Sequence, residues 1–227
     1  MGRIDEKELK MQLKNDNLSK AYFIYGEESY LKEYYVSKIR AKLVSGSFEE
    51  FNLHRFDGKQ VPVDDILKDA DLLPMMGGCN LVLACDYPFD KSENDCKEIK
   101  EYLTDIPETT VLVFWYNSLE PDVKKSARWK GVEAAFAKYG SSISFSRKSE
   151  TDLVKLLVSG CRKRGAELSQ NNARYLISVS GCDIKTLLNE VQKLSAFANG
   201  AQITKEMIDA TNVPWACLLY TSPSPRD

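Results

Sequence analysis

The chain has 227 residues, of which 43% are hydrophobic and 28% charged, a composition that is ordinary for a globular protein and excludes wholesale disorder. Its formal net charge of −2 excludes a global electrostatic attraction to nucleic acid or to an anionic membrane. No apolar run approaches the length of a membrane span, and residues 1–8 lack the apolar core of a secretory signal. We therefore expect a cytoplasmic protein without a membrane partner.

Helical and strand patterns alternate along residues 1–147. Leu9 and Leu13 stand four residues apart and predict a short surface helix over residues 5–15. Apolar runs predict strands at residues 21–25, 81–85, 110–115 and 142–145, and an alternating pattern predicts a strand at residues 51–56. Apolar spacing predicts a helix at residues 29–43, and further helices are predicted at residues 63–72 and, with a polar sequence, at residues 92–103. This order favours an α/β fold in which helices cover both faces of a mostly parallel sheet of five strands.

The pattern becomes wholly helical after Arg147. Apolar stripes cover residues 153–161 and 184–194, a shorter stripe at residues 173–177 lies between them, and residues 203–206 are typical of the start of a final helix. No strand is predicted in this part of the chain. A boundary near residues 146–149 is therefore expected to separate an α/β domain, residues 1–147, from a small all-α domain, residues 148–212.

Residues 213–227 fit neither pattern. They have no helical period, and Pro223 and Pro225 stand close together near the end. The stretch resembles the translated sequencing adapter found at the ends of metagenomic gene predictions, so we expect a non-native tail. A natural tail rich in proline and serine is the alternative.

Catalytic and metal-binding motifs are not found. His54 is the only histidine and lies within a predicted strand, so neither a catalytic triad nor a zinc site is expected. The six cysteines form no C-x-x-C pair and are expected to be small buried apolar residues. They are Cys79, Cys85, Cys96, Cys161, Cys182 and Cys217.

The loop between the strand at residues 21–25 and the following helix lies where a P-loop would bind nucleotide phosphates. It has a single glycine, Gly26, and no Gly-Lys-Ser/Thr sequence. Glu27 and Glu28 stand where a triphosphate would lie, and like charges there would oppose binding. Lys32 lies too far into the helix to replace the P-loop lysine. We therefore expect no nucleotide cofactor and no ATP hydrolysis.

Asp86 is the single acid that follows the strand at residues 81–85, where an acid pair that binds magnesium would be expected. One acid at this position is more typical of a turn residue than of a metal ligand. No metal site is predicted.

Three motifs, in this order, resemble the delta subunits of the bacterial DNA polymerase III clamp loader. They are Tyr-Phe-Ile-Tyr-Gly-Glu-Glu-Ser-Tyr-Leu at residues 22–31, Leu-Leu-Pro-Met-Met-Gly at residues 72–77, and the segment at residues 181–194. The resemblance covers about residues 5–211. It implies an AAA+-type, P-loop NTPase-like domain that has lost nucleotide binding, followed by a helical lid domain. It also implies a third, helical collar domain, which we do not find in this chain.

The resemblance implies a non-catalytic subunit that binds the ring-shaped sliding clamp and opens it for loading onto primed DNA during replication. Its implied partners are the clamp, the ATP-binding gamma/tau subunits, the delta-prime subunit, and DNA through the assembled complex. The first alternative is an active ATPase of the same superfamily with a degenerate phosphate loop. A protein-interaction domain outside replication is the second.

The clamp contact implied by the resemblance is a hydrophobic wedge just before the third of the predicted strands. The matching residues are Leu72, Leu73, Pro74, Met75 and Met76. Exposed methionines suit this role because their flexible side chains adapt to an apolar pocket on a partner. Without the resemblance, apolar residues beside a strand are more typical of the protein core. The family usually has aromatic or leucine residues at the wedge and charged residues after it, whereas this chain continues with residues 77–80, Gly-Gly-Cys-Asn.

Basic residues cluster after the strand at residues 110–115. Lys124, Lys125 and Arg128, with the neighbouring Lys130, are candidates for contact with DNA phosphates in the assembled loader. Residues 162–164, Arg-Lys-Arg, form a second basic group on a helix of the smaller domain. A solvated helix face is the alternative for both groups, in line with the balanced net charge.

Overall fold

The computed structural model describes residues 2–44 and 49–211 of the chain. It divides into two compact units, Met1–Arg147 and Lys148–Asp227. The first unit is a parallel six-stranded sheet flanked by helices, and the second is a group of helices. The predicted α/β fold followed by a small helical unit is confirmed, with six strands rather than five. Residues 213–227, for which a non-native tail is predicted, lie outside the described residues, as does Cys217.

The first unit alternates strands and helices. Its strands are β1 (Gly2–Arg3), β2 (Ala21–Tyr25), β3 (Leu53–Asp57), β4 (Asn80–Cys85), β5 (Thr110–Trp115) and β6 (Ser141–Ser144). Its helices are α1 (Glu6–Lys14), α2 (Ser29–Leu43), α3 (Glu49–Asn52), α4 (Val63–Ala70), α5 (Glu93–Tyr102) and α6 (Ala127–Tyr139). The sheet order is β1-β6-β2-β5-β4-β3, and every neighbouring pair is parallel. The loops that follow the strands therefore all leave from the same edge of the sheet.

The central strands β2, β4 and β5 are buried on both faces, as their continuous apolar runs predict. An aromatic cluster packs between the sheet and α6. The ring centroid of Phe23 lies 5.1 Å from that of Tyr116 and 5.4 Å from that of Phe136. Such tilted aromatic pairs bury large apolar area and fix the relative position of sheet and helix. This core supports the sheet, which carries the loop at Gly26 at its carboxyl edge and the loop between α4 and β4 at its amino edge.

The short strand β1 was not predicted, because two residues are too few to show a period. The Gly2 amide donates to the Gly140 carbonyl at 3.1 Å. The Arg3 guanidinium donates two hydrogen bonds to the Glu133 carboxylate on α6, at 2.8 and 2.7 Å. Burial disfavours the charged form of Glu133, but hydrogen bonds from Arg3 and Ser142 outweigh it and hold the pKa of Glu133 below its usual value.

The strand predicted over residues 51–56 begins instead at Leu53, because the preceding residues form the short helix α3. The alternation of apolar and polar residues continues across this helix-to-strand junction, so the sequence pattern does not indicate where the strand begins. The helix α6 was not among the predicted elements either, and it packs against β2 and β6.

Over its described residues, 148–211, the second unit has four helices and one pair of very short strands. Its elements are α7 (Glu150–Arg162), β7 (Glu167–Leu168), α8 (Gln170–Ser180), α9 (Ile184–Ala198), β8 (Gln202–Ile203) and α10 (Lys205–Thr211). The prediction of an all-α unit is therefore wrong in one detail, since β7 and β8 pair in parallel. The predicted start of the last helix is confirmed, because the Met207 amide donates to the Thr204 hydroxyl at 3.4 Å.

Candidate functional site

The loop between α4 and β4 places four large apolar side chains in solvent. The exposed fractions are 50% for Leu72, 83% for Leu73, 52% for Met75 and 80% for Met76, whereas Pro74 between them is partly buried. The alternative that Leu72, Leu73 and Met75 cap the core is therefore wrong. Clustered exposed apolar side chains of this size are typical of a surface that binds another protein. We call residues 72–76 the apolar loop.

Two asparagine side chains hold the apolar loop. The Met75 amide donates to Asn52 Oδ1 at 2.7 Å, and Asn52 Nδ2 donates to the Met75 carbonyl at 3.2 Å. Asn80 Nδ2 donates to the carbonyls of Asp69 at 2.8 Å and Leu72 at 3.0 Å. Both asparagines are buried. The loop is thereby fixed at its middle and at its start.

The backbone after the apolar loop takes a conformation that favours glycine. The φ angles of Met76, Gly77 and Gly78 are 56°, 81° and 92°. Glycine adopts positive φ without steric cost, so Gly77 and Gly78 permit the chain to reverse into β4 directly after Met76. At the other end, the Tyr102 hydroxyl donates to the Asp71 carboxylate at 2.9 Å.

The sequence patterns do not predict a role for Asn52, for Asn80 or for the exposed Phe51 beside Asn52. An asparagine next to a strand is typical of a turn. The partners of Asn52 lie 23 residues away in the chain, and no local pattern reports a contact at that separation. Phe51 is 56% exposed and lies in the segment assigned to a strand.

The loop at Gly26 is closed by the chain that follows β6. The Glu28 amide, which a phosphate-binding loop would direct at a phosphate, donates to the Phe145 carbonyl at 3.0 Å. The Phe145 amide in turn donates to the Tyr25 carbonyl at 2.8 Å. Gly26 has a φ of 111°, and a Cβ atom there would lie 2.5 Å from the Phe145 carbonyl oxygen. Close backbone packing therefore requires this single glycine.

Lys32 points back into the same loop. Its side chain is buried, and its Nζ donates to the Gly26 carbonyl at 2.5 Å. Burial lowers the pKa of Lys32, although the carboxylates of Glu120 and Asp86 act in the opposite direction. A P-loop lysine reaches the phosphates of the nucleotide. Here the ammonium group instead binds the loop backbone.

Asp86 organises the loop that follows β5. Its carboxylate accepts hydrogen bonds from the amides of Asn117 at 2.7 Å, Ser118 at 3.1 Å and Leu119 at 3.1 Å, and from the Ser118 hydroxyl at 2.5 Å. Burial raises the pKa of Asp86, but these hydrogen bonds outweigh it and hold the pKa below the usual value. The prediction that Asp86 is a turn residue is confirmed, because its acceptor sites are taken by the protein backbone.

The predicted DNA-contacting residues lie on one stretch of surface. Lys124, Lys125 and Arg128 are all exposed, and Arg128 Nη1 donates to the Asp90 carbonyl at 2.5 Å. Lys124 lines a cavity of about 530 Å³. The acids Glu27, Glu120 and Asp122 line the same cavity, so its charge is not suited to a phosphate backbone. The basic side chains outside this cavity remain available to solvent.

His54 and the cysteines, which the sequence offers as candidate catalytic or metal-binding residues, lie apart in the structure. His54 Nδ1 lies 2.9 Å from Asp69 Oδ2 and connects β3 to α4. Of the cysteines within residues 2–44 and 49–211, Cys96 and Cys161 are buried as predicted, Cys79 and Cys85 are partly buried, and Cys182 is exposed. Within the same residues, no group of three or more histidine, cysteine, aspartate or glutamate side chains is placed to hold a metal ion.

None of the described helices is long and apolar enough to cross a membrane.

Comparison with known structures defines the fold. The Bacillus subtilis DNA clamp loader delta protein (YqeN) superposes with a TM-score of 0.67 at 22% identity, over 90% of this chain and 61% of that chain. The Thermotoga maritima RuvB Holliday junction branch migration motor superposes with a TM-score of 0.50 at 11% identity, over 91% of this chain and 66% of that chain. The predicted AAA+-type architecture is therefore confirmed.

Comparison of sequences finds similarity to one family. A family model described as DNA polymerase III, delta subunit, matches residues 22–134. The curated DNA polymerase III subunit delta of Bacillus subtilis (strain 168) is 26% identical over 192 residues, which are 82% of this chain and 54% of the relative. The chain thus spans about half the length of that curated relative. Sequence, fold and motif order agree in their similarity to the DNA polymerase III delta subunit family.

Proposed function

We propose that this chain binds the ring-shaped sliding clamp through the apolar loop and acts as the clamp-opening subunit of the replicative clamp loader. One observation carries the proposal: residues 72–76 present four exposed apolar side chains on a loop held by the buried amides of Asn52 and Asn80. Apolar anchors that are already in place bind a partner without the entropic cost of ordering the loop.

Clamp opening follows from this surface if the loop binds the open ring more tightly than the closed ring. A ligand shifts a conformational equilibrium only by its difference in affinity for the two states. Burial of one leucine or methionine supplies about 1.5–3 kcal/mol. Insertion of Met75 and Met76 beside a ring interface therefore provides enough free energy to compete with some of the contacts that close it.

The proposed subunit is non-catalytic and binds no nucleotide cofactor. The Glu28 amide and the Lys32 ammonium group, which would serve a phosphate, already bind the Phe145 and Gly26 carbonyls. In this proposal, ATP is bound by neighbouring gamma/tau subunits, and delta-prime completes the cytoplasmic loader. DNA is reached through the assembled complex, with Lys124, Lys125 and Arg128 as candidate phosphate contacts.

The proposal is tested by measuring binding of the full chain to immobilised Bacillus subtilis sliding clamp by surface plasmon resonance. We expect saturable binding with a Kd of about 1 μM or tighter, which corresponds to about −8 kcal/mol. Absence of binding at concentrations far above this value would contradict clamp recognition and favour an interaction domain outside replication.

Titration of the chain with magnesium-ATP in a calorimeter is expected to release no binding heat, because the loop at Gly26 is closed by Phe145. The same titration of a purified P-loop ATPase serves as the positive control. Saturable heat from this chain would instead support the active ATPase alternative. Clamp binding and nucleotide binding are separate measurements, so each part of the proposal can fail independently.

A further inference from the structure

We propose that Asn52 is a positioning residue for the apolar loop, whose side-chain amide holds the Met75 backbone in the conformation that binds the partner. This inference rests on the proposed clamp contact. It assigns a role to a residue outside the apolar loop, on a different element of the fold.

The geometry of the contact is specific for an amide side chain. Asn52 Oδ1 accepts from the Met75 amide at 2.7 Å while Asn52 Nδ2 donates to the Met75 carbonyl at 3.2 Å. One planar group therefore satisfies both the donor and the acceptor of a single loop residue, as a neighbouring strand would. Aspartate has no donor for the carbonyl, and alanine has neither group.

Asn52 is well placed to hold the loop because it is itself held. The residue is 6% exposed, and its backbone lies where α3 ends and β3 begins. The strand β3 pairs with β4 from Leu53 onward, so the backbone next to Asn52 belongs to the sheet. The amide thus transmits the rigidity of the sheet to the middle of an exposed loop.

The conformation of Met76 shows why the loop needs this support. Met76 has a φ of 56°, in the left-handed region that residues other than glycine rarely adopt. The next two residues, Gly77 and Gly78, are flexible in the absence of other restraints. A fixed Met75 backbone leaves the chain little freedom to turn the Met75 and Met76 side chains away from the partner.

The expected effect of removing the amide is a lower population of the binding conformation. The apparent Kd rises by the factor by which that population falls. The substitution removes two hydrogen bonds, each of modest net strength, and their loss corresponds to a factor of about 10 in that population. The apolar side chains that would contact the clamp are unchanged by the substitution.

The test compares the Asn52→Ala variant of the 227-residue chain with the unmodified chain. We expect clamp affinity to fall about 10-fold and the Met75 amide to exchange faster with deuterium in the free protein. Asn52→Asp keeps the acceptor for the Met75 amide and is expected to give an intermediate affinity. Asn172→Ala is the matched control, because Asn172 Nδ2 donates to the Ile203 carbonyl at 2.8 Å in the second unit. Its loss should leave clamp affinity and Met75 exchange unchanged.

The outcomes separate this inference from the proposed function. If Asn52→Ala binds the clamp like the unmodified chain, or if Met75 exchange is unaltered, the positioning role is overturned while clamp recognition stands. If the unmodified chain does not bind the clamp, the proposed function fails, and the exchange rate still reports whether Asn52 holds the loop. If Asn52→Ala does not fold, the affinity and exchange rate of Asn52→Asp decide the question.

Discussion

Replacement of both Met75 and Met76 by serine is expected to weaken binding to the sliding clamp by at least about 100-fold. Each methionine that enters an apolar pocket contributes about 1.5–3 kcal/mol to the free energy of binding. Loss of both side chains therefore raises the Kd by at least about 100-fold. The fold should be unaffected because the two side chains are 52% and 80% exposed. Surface plasmon resonance with the clamp measures the affinity, and thermal denaturation verifies the fold.

Met11→Ser provides the matched control for this prediction. Met11 lies on α1 and is 56% exposed, so the same chemical change is made at a similarly exposed position away from the apolar loop. Its clamp affinity should equal that of the unmodified chain. Undiminished binding by the double variant would show that the clamp contact lies elsewhere. Equal losses in the control and the double variant would show that the effect is not specific to the apolar loop.

Asp86→Ala is expected to lower the free energy of unfolding by about 3 kcal/mol. The substitution removes the acceptor of three backbone amides and of the Ser118 hydroxyl, and hydrogen bonds to a charged group contribute about 1.5–3 kcal/mol each when they are shielded from water and less when they are partly exposed. Lys59, whose Nζ lies 3.7 Å from Asp86 Oδ2, also loses a partner. Urea denaturation at pH 7 measures the difference. Asp64→Ala, at the exposed start of α4, is the control and should change stability by less than about 1 kcal/mol.

The contribution of Asp86 is expected to depend on pH with a definite sign. The folded pKa of Asp86 lies below the ordinary value of 3.8, so its carboxylate stabilises the fold fully above that value. The stabilisation is lost as the pH falls through the folded pKa. Asp86→Asn, which cannot ionise, should therefore be less stable than the unmodified chain at pH 7, and the difference should shrink below about pH 4. A difference that does not depend on pH would contradict this assignment.

The sequence by itself determined the elements with strong local patterns. The strands β2, β4 and β5 are continuous apolar runs because both of their faces are covered. The helices α2 and α4 have apolar residues at helical spacing. The chemistry of the Gly26 loop, with one glycine and two adjacent carboxylates, was also sufficient to predict that it is not a P-loop.

Only the tertiary structure decided how these elements use their side chains. Three contacts join groups that no hydrophobic period of the sequence relates. The Lys32 ammonium group donates to the Gly26 carbonyl, Asn52 binds the Met75 backbone, and Arg3 pairs with Glu133. Whether residues 72–76 are core or surface was likewise open, because apolar residues beside a strand occur in both settings. Hydrophobic periodicity reports the local environment of a segment. Solvent exposure depends on which distant residues hold the segment in place, and for the apolar loop those residues are Asn52 and Asn80.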